Sequence, residues 1–423
     1  MKVRDVVAVP VRSGFYRDDQ EAIREGAKHD GFLYTGPPRT PGFVSVREAG
    51  LAVSLMLLLD DGRVAYGDCA EVQYAGVGGR AGLIEPAALL TEIDEVVRPA
   101  LVGRSITGFR EIADEVDGLT IRGRELVTPL RYGVSQALLD AAAQAACRTM
   151  AEVVRDEYAT GLELLPVPIY AQSGDERYTN VDKMIVKQVG VFPHGLINTV
   201  DGKLGHDGGL LLDYLAWVRD RISSRGEPGF APVVHIDVYG TIGLIFDGDL
   251  DRVASYLGRL ADTAAPYRFR IEHPVDAGSR EGQIAMFVAL RELLDRKGID
   301  IELVADEWCN TLDDIRAFVA AGAADMIQVK SPDLGGIGNT IEALLEVRAA
   351  GRGAFCGGTC NETDISARVS AHVAMACGVR QVLAKPGMGV DEGLMLVGNE
   401  MERTAVLART RGAVDATTGR VAG

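Results

Sequence analysis

Val233-Val-His-Ile-Asp237, Phe269-Arg-Ile-Glu272, Leu303-Val-Ala-Asp306 and Met326-Ile-Gln-Val-Lys330 are four short apolar runs, and each closes on a charged residue. Runs of four or five residues rich in Val, Ile and Phe read as strands buried on both faces. Each is followed by a segment whose apolar residues recur at three- and four-residue steps, the mark of an amphipathic helix. The alternation continues outward in both directions. Pro168-Ile-Tyr-Ala-Gln172 and Val191-Phe-Pro-His194 precede the block, and Ala354-Phe-Cys-Gly-Gly-Thr359 and Gln381-Val-Leu-Ala-Lys385 follow it. Eight β-then-α units at intervals of roughly 25 to 40 residues are what a closed parallel barrel requires, because each parallel strand needs a crossover helix. The expected fold is therefore α/β, a TIM-type barrel over residues 161–423. A doubly wound open sheet is the alternative architecture.

Upstream the texture differs. Apolar runs at 6–11, 51–59 and 64–68 are separated by turn signals such as Asp60-Asp61-Gly62, and helical periodicity follows at 85–101 and across one alanine-rich stretch from 130 to 154. Residues 1–160 are expected to form an α+β capping domain. The segment 31–50 is rich in Gly, Pro, Thr and Arg without periodicity and reads as a long functional loop. A chain of 423 residues exceeds what one hydrophobic core organises, which agrees with two domains.

A formal net charge of −16 argues against nucleic acid or an anionic membrane as partner, since phosphates are bound through clustered Lys and Arg. An anionic substrate then needs local positive charge or a metal at the site. Six scattered cysteines in so long a chain do not make a disulfide framework. Cys356 and Cys360 lack the second pair that a zinc site needs. The opening Met1-Lys-Val-Arg-Asp-Val-Val7 has no apolar core of the secretory kind, and the most hydrophobic run, 51–59, is too short to span a bilayer. A cytoplasmic enzyme is expected.

In a parallel barrel the active site lies at the carboxyl ends of the strands. Gln172, His194, Asp237, Glu272, Asp306, Lys330 and Thr359/Cys360 all stand there. Asp237, Glu272 and Asp306 close three consecutive strands, 35 and 34 residues apart, and so lie side by side on the rim. One acidic residue in such a place is commonly a helix cap or a surface charge. Three in succession need a counter-ion, and an oxygen-only set suits Mg²⁺. On the next strand, alternation turns Gln328 and Lys330 to the same inward side. Beside a metal and partly desolvated, Lys330 is expected to have a lowered pKa and to serve as a base rather than as a solvated structural lysine. His194 lies across the barrel from it, placed to act on the opposite face of a substrate carbon. The turn 357–362 offers backbone N–H groups and a hydroxyl to a carboxylate.

Asp, Glu and Asp on three successive strands, then lysine, resembles the enolase superfamily. Longer strings narrow the resemblance. His235-Ile-Asp-Val-Tyr-Gly-Thr-Ile-Gly243, Ala305-Asp-Glu-Trp-Cys-Asn-Thr311, Cys356-Gly-Gly-Thr-Cys-Asn-Glu-Thr363 and Leu383-Ala-Lys-Pro-Gly-Met-Gly-Val-Asp-Glu-Gly393 are similar to the methylaspartate ammonia-lyase family. So are Arg12-Ser-Gly-Phe-Tyr16, Gly67-Asp-Cys-Ala70 and Val72-Gln-Tyr74. The resemblance spans essentially the whole chain. It implies Asp237, Glu272 and Asp306 as Mg²⁺ ligands, Lys330 as the base for (2S,3S)-3-methylaspartate, and His194 as its partner. It also implies substrate contacts from Gln172, Gln328, Thr359 and Cys360, Gln73 reaching in from the capping domain, and Leu383 lining the side-chain pocket. A homodimer assisted by K⁺ is implied as well, with mesaconate and ammonia as products. Phe355 departs from the tyrosine expected of relatives and removes a hydroxyl, and His273 is a further variation. A muconate-type cycloisomerase, a racemase or an acid-sugar dehydratase are the competing enzyme readings. Those cycloisomerases and many racemases carry Lys-x-Lys on the second strand, where this chain has Phe192-Pro-His-Gly195. A barrel that had lost catalysis would have lost a ligand or a base, and all five are present.

Overall fold

The computed structural model describes residues 1–418. Its first part is built on an antiparallel sheet of Val3–Asp18, Arg47–Leu59 and Val64–Ala70. The first strand is longer than the expected run because it continues past a register shift between Arg12 and Tyr16, a bulge that turns Ser13-Gly14-Phe15 out of the ladder. Against the sheet lies the helix Thr128–Ala146. Two glycines permit this contact: a Cβ on Gly67 would lie 2.0 Å from the Gly133 carbonyl, and one on Gly133 would lie 2.4 Å from Cys69 Sγ.

Three expectations for this part need correction. The alanine-rich stretch is two helices, Thr128–Ala146 and Met150–Glu157, because Cys147 turns left-handed at φ +53° and a Thr149/Glu152 capping box starts the second. The 85–101 helix is interrupted by a π-turn, Ile93–Val97, just ahead of Pro99, whose missing N–H leaves the regular ladder one donor short. The segment 31–50 is not all loop. Leu33–Thr35 pairs with Lys28–Asp30, and Arg47 already belongs to the central strand, where its guanidinium holds Asp18 through two 2.8 Å bonds.

The second part is a closed barrel of eight parallel strands: Ile169–Tyr170, Val191–His194, Val233–Asp237, Phe269–Glu272, Glu302–Ala305, Met326–Val329, Gly353–Cys356 and Gln381–Leu383. The last pairs with the first through Leu383 and Tyr170, so the sheet has no free edge. Tyr170, Val191, Val304, Met326, Phe355 and Leu383 fill the interior with buried side chains, which makes a floor rather than a pore. Below them Arg270 bonds Glu302 and Gln381 at 2.6 Å each. Helices such as Gly209–Arg225, Leu250–Ala264 and Asp364–Cys377 wrap the outside. Among the described residues no helix is long and apolar enough to cross a membrane.

Candidate active site

Inward alternation along each short strand carries polar residues to the upper end of the barrel. All the candidate residues except Glu272 line a single cavity there. Glu272 lies just beneath, 1% exposed. Asp237, Glu272 and Asp306 are buried with one oxygen from each within 4.8 Å of the others. Burial and the neighbouring carboxylates Glu307 and Asp306 push Asp237 far above the usual carboxylate range, and burial with Asp237 and Asp306 does the same to Glu272. Asp306 goes the other way. Burial pushes it up, but Lys330 and Arg80 outweigh burial and hold it below its ordinary value. The three-oxygen set fits a hard divalent cation. Glu272 supplies an independent sign: Oε2 is buried with no hydrogen bond, although His235 Nε2 lies 2.9 Å away off the donor direction, while Oε1 accepts from Gln328 Nε2.

Lys330 Nζ donates to Asp306 Oδ2 at 2.7 Å. Burial and Arg80 depress its pKa, yet Asp306, Glu307 and Asp333 together hold it above the ordinary lysine value. The lowered pKa expected from sequence is that of an amine beside a metal; the carboxylates by themselves act in the opposite direction. His194 stands on the second strand and Lys330 at the end of the sixth, half-way round the eight. Burial first, then Lys330, pushes the imidazole down to about 3, so it is neutral near pH 7. Its Nδ1 accepts the Leu196 N–H at 3.2 Å, which places the ring proton on Nε2, 3.5 Å from Asp237. The ring therefore presents a proton to the cavity.

Gln73 descends from the capping part. Its Nε2 donates to Asp18 at 3.0 Å, and this fixes Oε1 against Cys360 Sγ at 3.2 Å. Its backbone N–H donates to Thr359 Oγ1 at 3.0 Å. Burial pushes the Cys360 thiol up, so it stays a neutral thiol and not a nucleophile. Phe355 packs edge-on to Tyr170 at 5.5 Å. Tyr170 carries a hydroxyl, but this is directed at the His235 carbonyl, 3.4 Å away.

Arg80 is the main residue that the strand-end logic could not find. It reaches the mouth from the glycine-rich loop 76–82, donates to Asp333 at 2.9 Å and Asp306 at 3.3 Å, and its side chain is 1% exposed. A single arginine in Gly76-Val-Gly-Gly-Arg-Ala-Gly82 was the available signal. Tyr239 and Met388 also line the cavity.

Family models for the methylaspartate ammonia-lyase N-terminus and C-terminus match residues 1–159 and 161–410. The chain belongs to the methylaspartate ammonia-lyase family. Within that family it is 52% identical to the methylaspartate ammonia-lyase of Clostridium tetanomorphum, over 97% of this chain and all of that one. The structure of the same relative as a magnesium complex covers 97% of this chain and all of that one, with a TM-score of 0.91. The Citrobacter amalonaticus methylaspartate ammonia lyase, solved with (2S,3S)-3-methylaspartic acid, is 50% identical over 97% of this chain and all of that one, with a TM-score of 0.94. Muconate lactonizing enzyme from Pseudomonas putida, 17% identical, covers 89% of this chain and 85% of its own with a TM-score of 0.59, and so shares the fold. Methylaspartate ammonia-lyases are carbon–nitrogen lyases, and the expected barrel with its capping part is the fold observed.

Proposed function

We propose that Lys330 and His194 work on opposite faces of a 3-methylaspartate held between the capping part, residues 1–160, and the barrel, residues 161–423. As a methylaspartate ammonia-lyase the chain eliminates ammonia from (2S,3S)-3-methylaspartate to give mesaconate, and the reverse reaction adds ammonia. The observation that carries the assignment of roles is the buried triad Asp237, Glu272 and Asp306 with Lys330 2.7 Å from its third member. Bound to the triad, Mg²⁺ supplies positive charge to the substrate carboxylate whose negative charge grows when C3 is deprotonated.

The chain's own groups do the rest. Lys330 takes the C3 proton onto Nζ as the neutral amine, a form that Arg80 favours and that a divalent cation on Asp306 would favour further by offsetting the carboxylates that otherwise hold the ammonium charged. Gln328 is held by Glu272, so its free carbonyl is pre-oriented towards the adjacent carboxylate. Thr359, Cys360, Gln172 and Gln73 bind the second carboxylate and the amine, and Leu383 packs against the C3 substituent. His194 faces the substrate from the far side, where Nε2 is the atom that exchanges a proton. The walls exclude water, which strengthens each of these contacts. K⁺ as monovalent activator and a homodimeric state belong to the same proposal, supported by the resemblance across the whole chain.

Purified protein given (2S,3S)-3-methylaspartate with Mg²⁺ and K⁺ is expected to generate the ultraviolet absorbance of a conjugated dicarboxylate, and EDTA is expected to stop it. Folded protein that produces no signal at any Mg²⁺ concentration would send the search to other carboxylates. Asp306→Asn is expected to raise the Mg²⁺ needed for half-maximal activity by at least about 10-fold, since even partners that only touch a ligand typically contribute 10–100-fold. Unchanged magnesium dependence would remove Asp306 from the ligand set.

A further inference from the structure

Beneath the turn that presents Thr359 and Cys360 lies a charge pair that the reaction does not use. Lys385 Nζ donates to Glu362 Oε2 at 2.7 Å and to the Gly357 carbonyl at 2.8 Å, and both charged side chains are fully excluded from solvent. Glu362 Oε2 also accepts the Thr359 N–H at 2.8 Å, and Oε1 accepts the hydroxyl of Tyr132 from the helix Thr128–Ala146. The turn wraps this pair closely. Gly358 sits at φ +122°, and a Cβ there would lie 2.0 Å from Glu362 Oε2 and 2.3 Å from Lys385 Nζ, so only glycine fits. The capping part grips the same turn from its bulge, where the Gly14 N–H donates to the Glu362 carbonyl at 3.1 Å.

A buried ion pair is a poor source of stability, because apolar residues of similar volume often replace it without loss. Apolar residues could fill this space. They could not aim three backbone and hydroxyl groups at once. We infer that Glu362, Lys385 and Tyr132 are positioning residues for the substrate, fixing the backbone of 357–360 so that Thr359 Oγ1 and Cys360 face the cavity before a ligand arrives. The inference rests on the reading of Thr359 and Cys360 as substrate contacts. It makes the turn rigid and ties its geometry to the docking of the capping part through Tyr132. Because the turn faces the carboxylate that does not take up the charge released when C3 is deprotonated, its misplacement weakens ground state and transition state alike, raising KM with little change in kcat.

The test compares the paired variant Glu362→Met with Lys385→Met, the single variant Tyr132→Phe, and Thr359→Val as calibrator. Each is followed by steady-state kinetics on (2S,3S)-3-methylaspartate, thermal unfolding and Mg²⁺ calorimetry. For the paired variant the expected result is cooperative unfolding and parental Mg²⁺ affinity, with KM raised about 10–100-fold as when a hydrogen bond to a charged group is lost. Thr359→Val should raise KM into the same range. If Thr359→Val raises KM and the paired variant folds with parental KM, the positioning role is overturned while the contact reading stands. If Thr359→Val leaves KM unchanged, the contact reading falls and takes this inference with it. Should the paired variant not fold, Tyr132→Phe decides, since it deletes one hydroxyl: a KM raised about 3-fold or more supports the inference, and parental KM overturns it.

Discussion

Lys330→Ala lowers kcat on (2S,3S)-3-methylaspartate by about 10²–10⁴-fold, the share that a positioned general base contributes to proton abstraction. Nζ stands at the end of the sixth strand, is joined to Asp306 at 2.7 Å, and lines one cavity together with Gln172, His194 and Gln328. Alanine leaves the carboxylate triad in place, so Mg²⁺ binding survives and is checked separately by calorimetry. Initial rates followed by product absorbance measure the loss. A fall smaller than about 10-fold at saturating substrate and metal would take the base role from Lys330. His194→Ala gives the complementary result, with the (2S,3R) isomer losing more rate than the (2S,3S) isomer. Equal losses on both isomers in both variants would refute a division of labour between two faces.

The second large effect falls on stability. Lys385→Met alone strands the Glu362 carboxylate in a site that excludes water and removes the donor to the Gly357 carbonyl. Breaking a buried pair on one side costs about 3–5 kcal/mol, because the remaining charge has lost its solvent and its partner. The expected outcome is a large drop in the denaturant midpoint with no change of slope. A loss under about 1 kcal/mol would mean that the pair does not stabilise the fold. The single and paired variants thus separate two quantities, since the single one probes folding and the paired one probes substrate placement.

Much of the barrel was legible because the signal is local. A parallel strand covered on both faces must be an apolar run, and its last inward residue must face the mouth, so Asp237, Glu272 and His194 are found by reading strand ends. The strand bounds shift by a residue or two where the ladder stops short: Asp306 and Lys330 stand just past Glu302–Ala305 and Met326–Val329. The break after Cys147 could have been read from Thr149 and Glu152, whose spacing is that of a capping box. Arg80 was harder. It sits in a loop without periodicity, and its partners Asp306 and Asp333 are more than 220 residues away. The Glu362–Lys385 pair was invisible for a related reason: nothing local distinguishes a buried glutamate in a glycine turn from an exposed one. The carboxylates that raise the Lys330 pKa could not be counted from sequence, which shows which charges exist but not how many face one another.

Closure of the barrel carries a consequence for how the molecule is made. The closing strand, Gln381–Leu383, pairs with Ile169–Tyr170, more than 200 residues earlier in the chain. Lys385 follows two residues later. During synthesis, a chain that has emerged only as far as residue 380 holds seven strands with two raw edges, at Ile169–Tyr170 and Gly353–Cys356, and it lacks the amine that Glu362 awaits. Such long-range pairing is slow and leaves edges open to aggregation. Sealing the sheet and completing the Glu362–Lys385 pair therefore both wait for the same five residues, 381–385, to leave the ribosome.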